Sequence, residues 1–474
     1  MTGAYENVNG VQLTGGTMNT PAQGVPNIAT MLRAADYEVV YKGKWHLSPP
    51  VCGKETGWTE ADICYLEQCY GFSQWNPPDS GTSAGGCDTR STMGGGLADN
   101  DGRCVSGRRR PEQTCGFGES VLDFLARVAA TPEDQRRPFC LFVSLSNPHD
   151  IAYFPNAYSG SGYPEPVPDL GICLPPNADD PLLAKPSIQM AFRNALLGGY
   201  LPCTPEGRSD YVNLYAYLHT VVEQQIQTVL NALDCYGLTE STIIFRTADH
   251  GELGLSHNLV EKAYCAYEEV IHVPLIVSNP RLFPQAATTS ALWSHVDLAP
   301  TLAELAGAQP IGVGVSQVPV LRDPGTSVQD CVLFAFDDRY PGLDADAPAS
   351  HIRALRTDRY TYAVYFTARY EEGGSTAFQV APPFEFELYD NQNDPYQMVN
   401  LLACPSPDVG LWQSLHTRLT EKMESLGATP PCWPADPLEP CAVPSPCPDF
   451  SPCPDPPLPD PFPCVEVSPS PCPA

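Results

Sequence analysis

No run of about twenty apolar residues occurs anywhere in this chain, so no membrane-spanning helix is predicted. Positive charge is scarce as well: 26 Lys and Arg stand against 55 Asp and Glu, for a formal charge of -29. That imbalance argues against nucleic acid or an anionic membrane as a general partner of the surface. An anionic ligand would have to meet a local cluster of cations, which is workable because distant charge is screened over roughly 8 Å at physiological salt. Two marks of secretion are also missing, since no Asn-x-Ser/Thr sequon occurs and Met1 is not followed by a basic and then apolar signal segment. Cysteine points the other way. There are 19, six of them after residue 430, a usage that fits an extracellular or secretory setting. The 474 residues suffice for a large α/β domain with a smaller unit beside it.

Amphipathic helices alternate with short apolar strands over the first two thirds of the chain. The helical stretch Asn27 to Ala35 leads into the apolar run Tyr37 to Tyr41, and the stretch Glu119 to Ala130 leads into Phe139 to Leu145. Between Asp210 and Asp234, Leu214, Leu218, Val221, Val222, Val229 and Leu233 recur at helical spacing, with Gly237 placed to stop the helix. Strands Thr242 to Arg246 and His272 to Val277 follow, then a capped helix Asp297 to Ala306 with Pro300 in its first turn. The alternation predicts an α/β fold with a mainly parallel central sheet flanked by helices. Residues 1–312 form this domain, with 48–118 a Cys- and Gly-rich insertion over the sheet, tied by disulfides. Residues 313–428 read as a smaller antiparallel sheet with a closing helix from Val409 to Leu426. Residues 429–474, where Ser-Pro-Cys-Pro recurs at Ser445, Ser451 and Ser470, read as a disordered or polyproline-like tail.

In open α/β sheets functional groups gather beyond the carboxyl ends of the strands. Here the first strand is followed by Lys44 and His46, the second by His149, and the third by Asp249 and His250. Each has a bland reading alone: Lys-x-His as a surface turn, Pro-His-Asp as a turn, Asp-His-Gly-Glu as a helix N-cap. Three strands delivering ionisable groups to one edge is a different matter. A neutral His beside a carboxylate can point at one divalent ion, while Lys and His offer positive charge and transferable protons to an anionic ester. That set suits phosphoryl or sulfuryl transfer.

The segments KGKWHL (42–47), TADHGE (247–252), EKAYCAYEEVIHVPLIV (261–277), SHVDLAPTLAELAG (294–307) and ELYDNQNDPYQMVNL (387–401) resemble successive signatures of the sulfatase family, within the alkaline phosphatase superfamily. The resemblance covers most of residues 1–428, but neither the insertion nor the tail. It implies hydrolysis of a sulfate ester, from a sulfated small molecule or sulfated glycan, with a divalent metal held by Asp249 and His250. Ca²⁺ is the first expectation, with Mg²⁺ beside it; the imidazole, standing where the family more often has Asn, shifts the balance toward Mn²⁺. It further implies that Lys44 holds the nucleophile and a sulfate oxygen, that His46 is the base releasing bound sulfate, and that His149 and Lys262 contact the ester oxygens and protonate the leaving group. Acid assistance of that kind is worth roughly 10²- to 10⁴-fold in rate. Glu252 and His257 are expected to be structural, and His272, where the family usually has Arg, a packing change.

The family's nucleophile is a formylglycine made from Cys or Ser in a Cys/Ser-x-Pro-x-Arg motif, followed by a segment like Leu-Thr-Gly-x-Tyr. This chain opens on that following segment, MTGAYENVNG, and none of its 19 cysteines lies in the motif. The modified residue, its Arg, an earlier pair of Asp ligands and a central first strand are therefore expected upstream. Residues 1–474 alone are expected to be a fragment or an inactive form that folds poorly. Two alternatives stand beside this: a phosphodiester or phosphonate monoester hydrolase of the same superfamily, and a non-catalytic extracellular protein that keeps the fold.

Overall fold

The computed structural model describes residues 1–11, 23–50, 58–75, 119–156, 158–159, 163–197, 199–338, 349–370 and 378–438. Helix α1 (Ile28–Ala34) starts at a reciprocal cap in which Asn27 accepts from the Thr30 amide and Thr30 returns the bond. It leads into β1 (Glu38–Gly43), and α2 (Val121–Ala130), capped by Ser120, leads into β2 (Phe139–Ser144). These two strands pair in parallel from Glu38 opposite Phe139 to Gly43 opposite Ser144. After α3 (Ser187–Leu196) comes the long helix α4 (Pro205–Cys235), which starts five residues earlier than its apolar periodicity suggests because Thr204 caps it and Pro205 fits its first turn.

Next come β3 (Ile244–Thr247) and β4 (Leu275–Ser278), which pair antiparallel. Where a mainly parallel central sheet is expected, the parallel pairing among the described residues is between β1 and β2. β4 is also shorter than expected, because Glu268–Ile271 forms a helical turn ahead of it. Helix α5 (Leu298–Ala306) ends at Gly307 in the left-handed conformation (φ 66°), as its Gly predicts.

The smaller unit is a four-stranded antiparallel sheet in the order β5 (Cys331–Phe336), β6 (His351–Thr357), β7 (Tyr360–Tyr370), β8 (Phe378–Asp390), covered by α6 (Val409–Ser425). The apolar run His351 to Phe366, continuous in sequence, is two strands turned at Asp358 and Arg359. Leu333, Leu355, Tyr362, Val364 and Leu388 pack against Leu415, Leu419 and Met423 of α6. Buried Glu387 on β8 accepts from Tyr365, Tyr389, Tyr267 and Gln189, which joins this sheet to α3 and to the loop after Asp249.

The insertion is less foreign to the core than its composition suggests. Within it Trp58, Tyr70, Phe72 and Trp75 pack with Tyr41, Trp45 and Phe142, and Ser73 bonds the backbone of Val39 and Tyr41 along β1. Residues 51–57, 76–118 and the tail from 439 onward lie outside the described residues. Cys140, Cys173, Cys203, Cys235, Cys265, Cys331 and Cys404 carry free thiols.

Strands β2 and β3 are not hydrogen-bonded to each other or, among the described residues, to any strand between them. Every residue of β2 is only half-buried, and β4 exposes Leu275 at 37% and Ile276 at 53%. For strands this apolar, flanked by α2 and α4 through a shared cluster that includes Phe139, Leu141, Val143 and Ile244, such exposure is unusual. No helix among the described residues is long and apolar enough to cross a membrane.

Candidate active site

Three strand ends build the site. At the end of β1, Gly43 has φ 96° and approaches β2 so closely that a Cβ there would lie 1.9 Å from the Ser144 carbonyl oxygen. Only glycine allows this, and the Lys44 amide then bonds that same carbonyl at 2.9 Å. The two lysines of KGK part company here: Lys42 is buried, its ammonium donating to the Gln74 carbonyl at 2.9 Å, whereas half-buried Lys44 turns toward the other ionisable groups. His46 follows in an exposed left-handed turn (φ 44°).

After β2, His149 opens a short 3₁₀ turn braced by a polar clamp. Tyr163 donates to Asp150 at 2.5 Å and accepts from Asn147 at 2.9 Å. Asp150 is buried, and burial pushes its carboxyl up to about 7 against the opposing pull of Tyr163 and Lys44. His149 is pushed down to about 3 by burial first, then by the charges of Lys44, Lys262 and His250, with Asp249 opposing. Its imidazole is therefore neutral across the physiological range.

After β3, the backbone at Gly251 and Glu252 pairs with Val270 and Glu269. A Cβ at Gly251 would meet the Glu269 carbonyl oxygen at 1.9 Å, so glycine is required here too. Asp249 and His250 emerge side by side, with His250 Nε2 3.5 Å from Asp249 Oδ2 and His250 Nδ1 2.8 Å from the Gly251 carbonyl. The carbonyl fixes a proton on Nδ1 and leaves the Nε2 lone pair free. Burial, Lys262 and Lys44 lower the His250 pKa despite Asp249, while Asp249, against the partial loss of solvent, is held below its usual value by His250 and Lys44.

Lys262 lies beyond a tight loop. Burial would lower its pKa, but Glu261 at 2.9 Å, with Glu252 and Asp249, outweighs that and holds it up. Lys44, His149, Asp249, His250 and Lys262 thus share one electrostatic neighbourhood drawn from three separate stretches of chain. A groove of about 640 Å³ along α4, lined by His219, Glu223, Gln227 and Arg246 among others, lies apart from this chemistry, and its Arg246 is paired to Glu223.

The family description "Sulfatase" matches residues 1–308, and "N-sulphoglucosamine sulphohydrolase, C-terminal" matches residues 256–426. The chain belongs to the sulfatase family. Among its curated relatives, the "Ulvan-active sulfatase" of Formosa agariphila is 26% identical over 84% of this chain and 66% of its own length. The "Delta 4,5-hexuronate-2-O-sulfatase" of Bacteroides thetaiotaomicron is 26% identical over 59% of this chain and 55% of its own length. The chain therefore spans between about half and two thirds of these relatives. A solved phosphonate monoester hydrolase of Agrobacterium radiobacter shares the fold, with a TM-score of 0.58 at 19% identity over 90% of this chain and 84% of that one.

Members of this family generally use a divalent metal. Two donors fit such an ion: a carboxylate 70% exposed, and an imidazole whose other nitrogen is held by a backbone carbonyl, the usual outer partner of a metal-bound His. No group of three or more His, Cys, Asp or Glu side chains placed to hold a metal occurs among the described residues, so this sulfatase offers part of a shell.

Sequence reading missed the residues that hold the site. Asp150 and Tyr163 brace the His149 turn, and His295 Nε2 lies 2.9 Å from the carbonyl of Ala248, next to Asp249. Pattern offered no signal for these except that His295 falls inside a family segment. Glu252, expected to be structural, is pushed up to about 7 by burial and by Glu261, and its Oε1 gathers three donors.

Proposed function

We propose that this chain is the larger part of a divalent-metal-dependent sulfuric ester hydrolase acting on a sulfated sugar. The observation that carries the reading is the convergence of Lys44, His149, Asp249 and His250 from three strand ends with Lys262 from the loop that follows. Asp249 and His250 would hold the cation, which when bound would polarise the sulfate oxygens. Lys44 would neutralise a sulfate oxygen and hold the nucleophile. His46 would be the base that releases sulfate. Lys262, kept charged by its carboxylate neighbours, and neutral His149, able to donate one N–H, would contact the ester and its leaving oxygen. Ca²⁺ is the ion we favour, with Mg²⁺ as a second oxygen-seeking competitor and Mn²⁺ the one that an imidazole ligand brings in. The sugar substrate is inferred from the ulvan- and hexuronate-active relatives, and an extracellular or secretory setting and disulfides from the cysteine usage.

No Cys- or Ser-x-Pro-x-Arg occurs in residues 1–474, so a nucleophile of that kind would have to come from another segment. The edges of β2 and β3 that are unpaired among the described residues, with their half-buried apolar side chains, support a slot for one further strand ending at the cluster. We propose that turnover requires that strand. Residues 1–474 alone should leave 4-nitrophenyl sulfate unhydrolysed, and turnover by them would overturn the slot. Coding sequence upstream of Met1 that carries the motif, with the extended protein hydrolysing sulfated hexosamine or uronate, is the expected positive result. Faster turnover of a phosphonate monoester than of any sulfate ester would replace the sulfatase reading with the superfamily alternative, and the motif's absence would favour a non-catalytic protein.

A further inference from the structure

Between His250 and Lys262 the chain makes an unusually constrained excursion. Gly254, Leu255, His257, Asn258 and Glu261 all have positive φ, from 53° to 76°. Leucine, histidine and glutamate resist that conformation because Cβ crowds the following carbonyl, so something must hold the loop closed. At its tip, buried His257 bonds Asp180 at 2.7 Å and stacks on Tyr267 with ring centroids 3.8 Å apart. At its neck the closure is a single oxygen. Glu252 Oε1 accepts from the Glu261 amide at 2.7 Å, from the Gly254 amide at 3.3 Å, and from the Tyr211 hydroxyl on α4 at 3.0 Å. The Leu253 amide reinforces the neck by donating to the Glu261 carbonyl at 2.9 Å.

The position of this closure matters. Glu261 immediately precedes Lys262, so the Glu252 carboxylate fixes the base of the Lys262 arm and anchors it to α4. We propose that Glu252 is a positioning residue for Lys262, setting where the ammonium meets an oxyanion without touching that oxyanion itself. The inference rests on reading Lys262 as an oxyanion contact.

Its test is binding by the full chain loaded with Mn²⁺, with inorganic sulfate as the probe, together with amide hydrogen exchange. Glu252→Met, which keeps the length and removes the acceptors, should weaken sulfate binding about tenfold, a shift of about 1.4 kcal/mol. Mn²⁺ affinity should stay within about twofold and exchange across 253–262 should rise. Glu252→Gln, which keeps an acceptor oxygen, should restore sulfate binding to within about threefold of the parent. Lys262→Met should also weaken sulfate binding, and Glu252→Met should add no further loss in that background, since the two act through one contact. Should Glu252→Met fail to fold, Tyr211→Phe takes its place, with a loss of about two- to threefold and faster exchange at the Glu261 amide. If Lys262→Met leaves sulfate binding unchanged, the functional reading of the site fails. If Lys262→Met weakens binding but Glu252→Met or Tyr211→Phe does not, or if the Glu252→Met loss persists undiminished without Lys262, the positioning role is overturned.

Discussion

Arg353 is the most deeply committed charge in the molecule's smaller sheet, and replacing it by Met tests the packing logic of that unit. The guanidinium is 2% exposed and faces Asp337, 1% exposed, through paired bonds of 2.8 and 2.9 Å. Glu6 lies 3.2 Å from it, bringing the first turn of the chain onto the same cation, and His351 approaches Asp337 at 3.0 Å. Removing one partner of a buried pair costs about 3–5 kcal/mol, because the other charge is left without compensation. Two features pull the expected cost of Arg353→Met toward the lower end, about 3 kcal/mol: His351 still faces Asp337, and Glu6 is already pushed up to about 7 by burial and is ready to take a proton. A second substitution, Asp337→Asn, removes the stranded charge, so the double variant should recover at least half of the loss. Urea unfolding of the four proteins at pH 7 closes the cycle. Lowering the pH should also rescue the single variant, since Glu6 and the abandoned Asp337 are stabilised in the fold when protonated. A cost below about 1 kcal/mol for Arg353→Met, or a double variant as unstable as the two single losses added together, would refute the reasoning.

The remaining expectations concern acid stability and the site. Burial opposes it, but His272 and Arg356 hold Glu268 down at about 2, so its contribution of at most about 3 kcal/mol is present above pH 4.5 and lost as pH falls toward 2. Unfolding midpoints followed across that window should drop for the parent and stay flatter for Glu268→Gln; parallel curves would count against the pairing. Asp249→Asn and His250→Ala should each lower Mn²⁺ or Ca²⁺ affinity in calorimetry by at least about tenfold, and unchanged affinity would remove both as ligands. Gly251→Ala drives a methyl to 1.9 Å from the Glu269 carbonyl, so it should cost about 1–3 kcal/mol in thermal unfolding and weaken cation binding in step. Wild-type behaviour in both would mean that the close approach is dispensable.

The parts of this molecule that were legible in sequence are those where one strand end supplies one functional group. Lys44, His149, Asp249 and His250 all sit within five residues of the ends of the strands that the apolar runs mark. Lys262 was legible only by family resemblance, because it reaches the site through a loop whose left-handed residues obey no periodicity. Strand direction was not readable either. The side-chain pattern of Thr242 to Val277 is the same whether β3 and β4 run parallel or antiparallel, and the backbone pairing of 251–252 with 269–270 decides it. Trp58 to Trp75 went unrecognised as core because aromatic residues at irregular spacing, interleaved with polar ones, carry no helical or strand period, although their rings interlock around Tyr41. Asp150 was missed for a further reason: a carboxylate that serves a tyrosine looks, in sequence, like any solvated acid.

The bare flanks of β2 and β3 have a practical consequence for anyone handling this polypeptide. Among the described residues each of these strands has one side to which no strand is paired, and such edges, faced with valine, isoleucine, leucine and phenylalanine, are the template on which neighbouring molecules assemble edge to edge. Concentrating the isolated chain should therefore produce oligomers through these edges, well before any catalytic question can be asked of it.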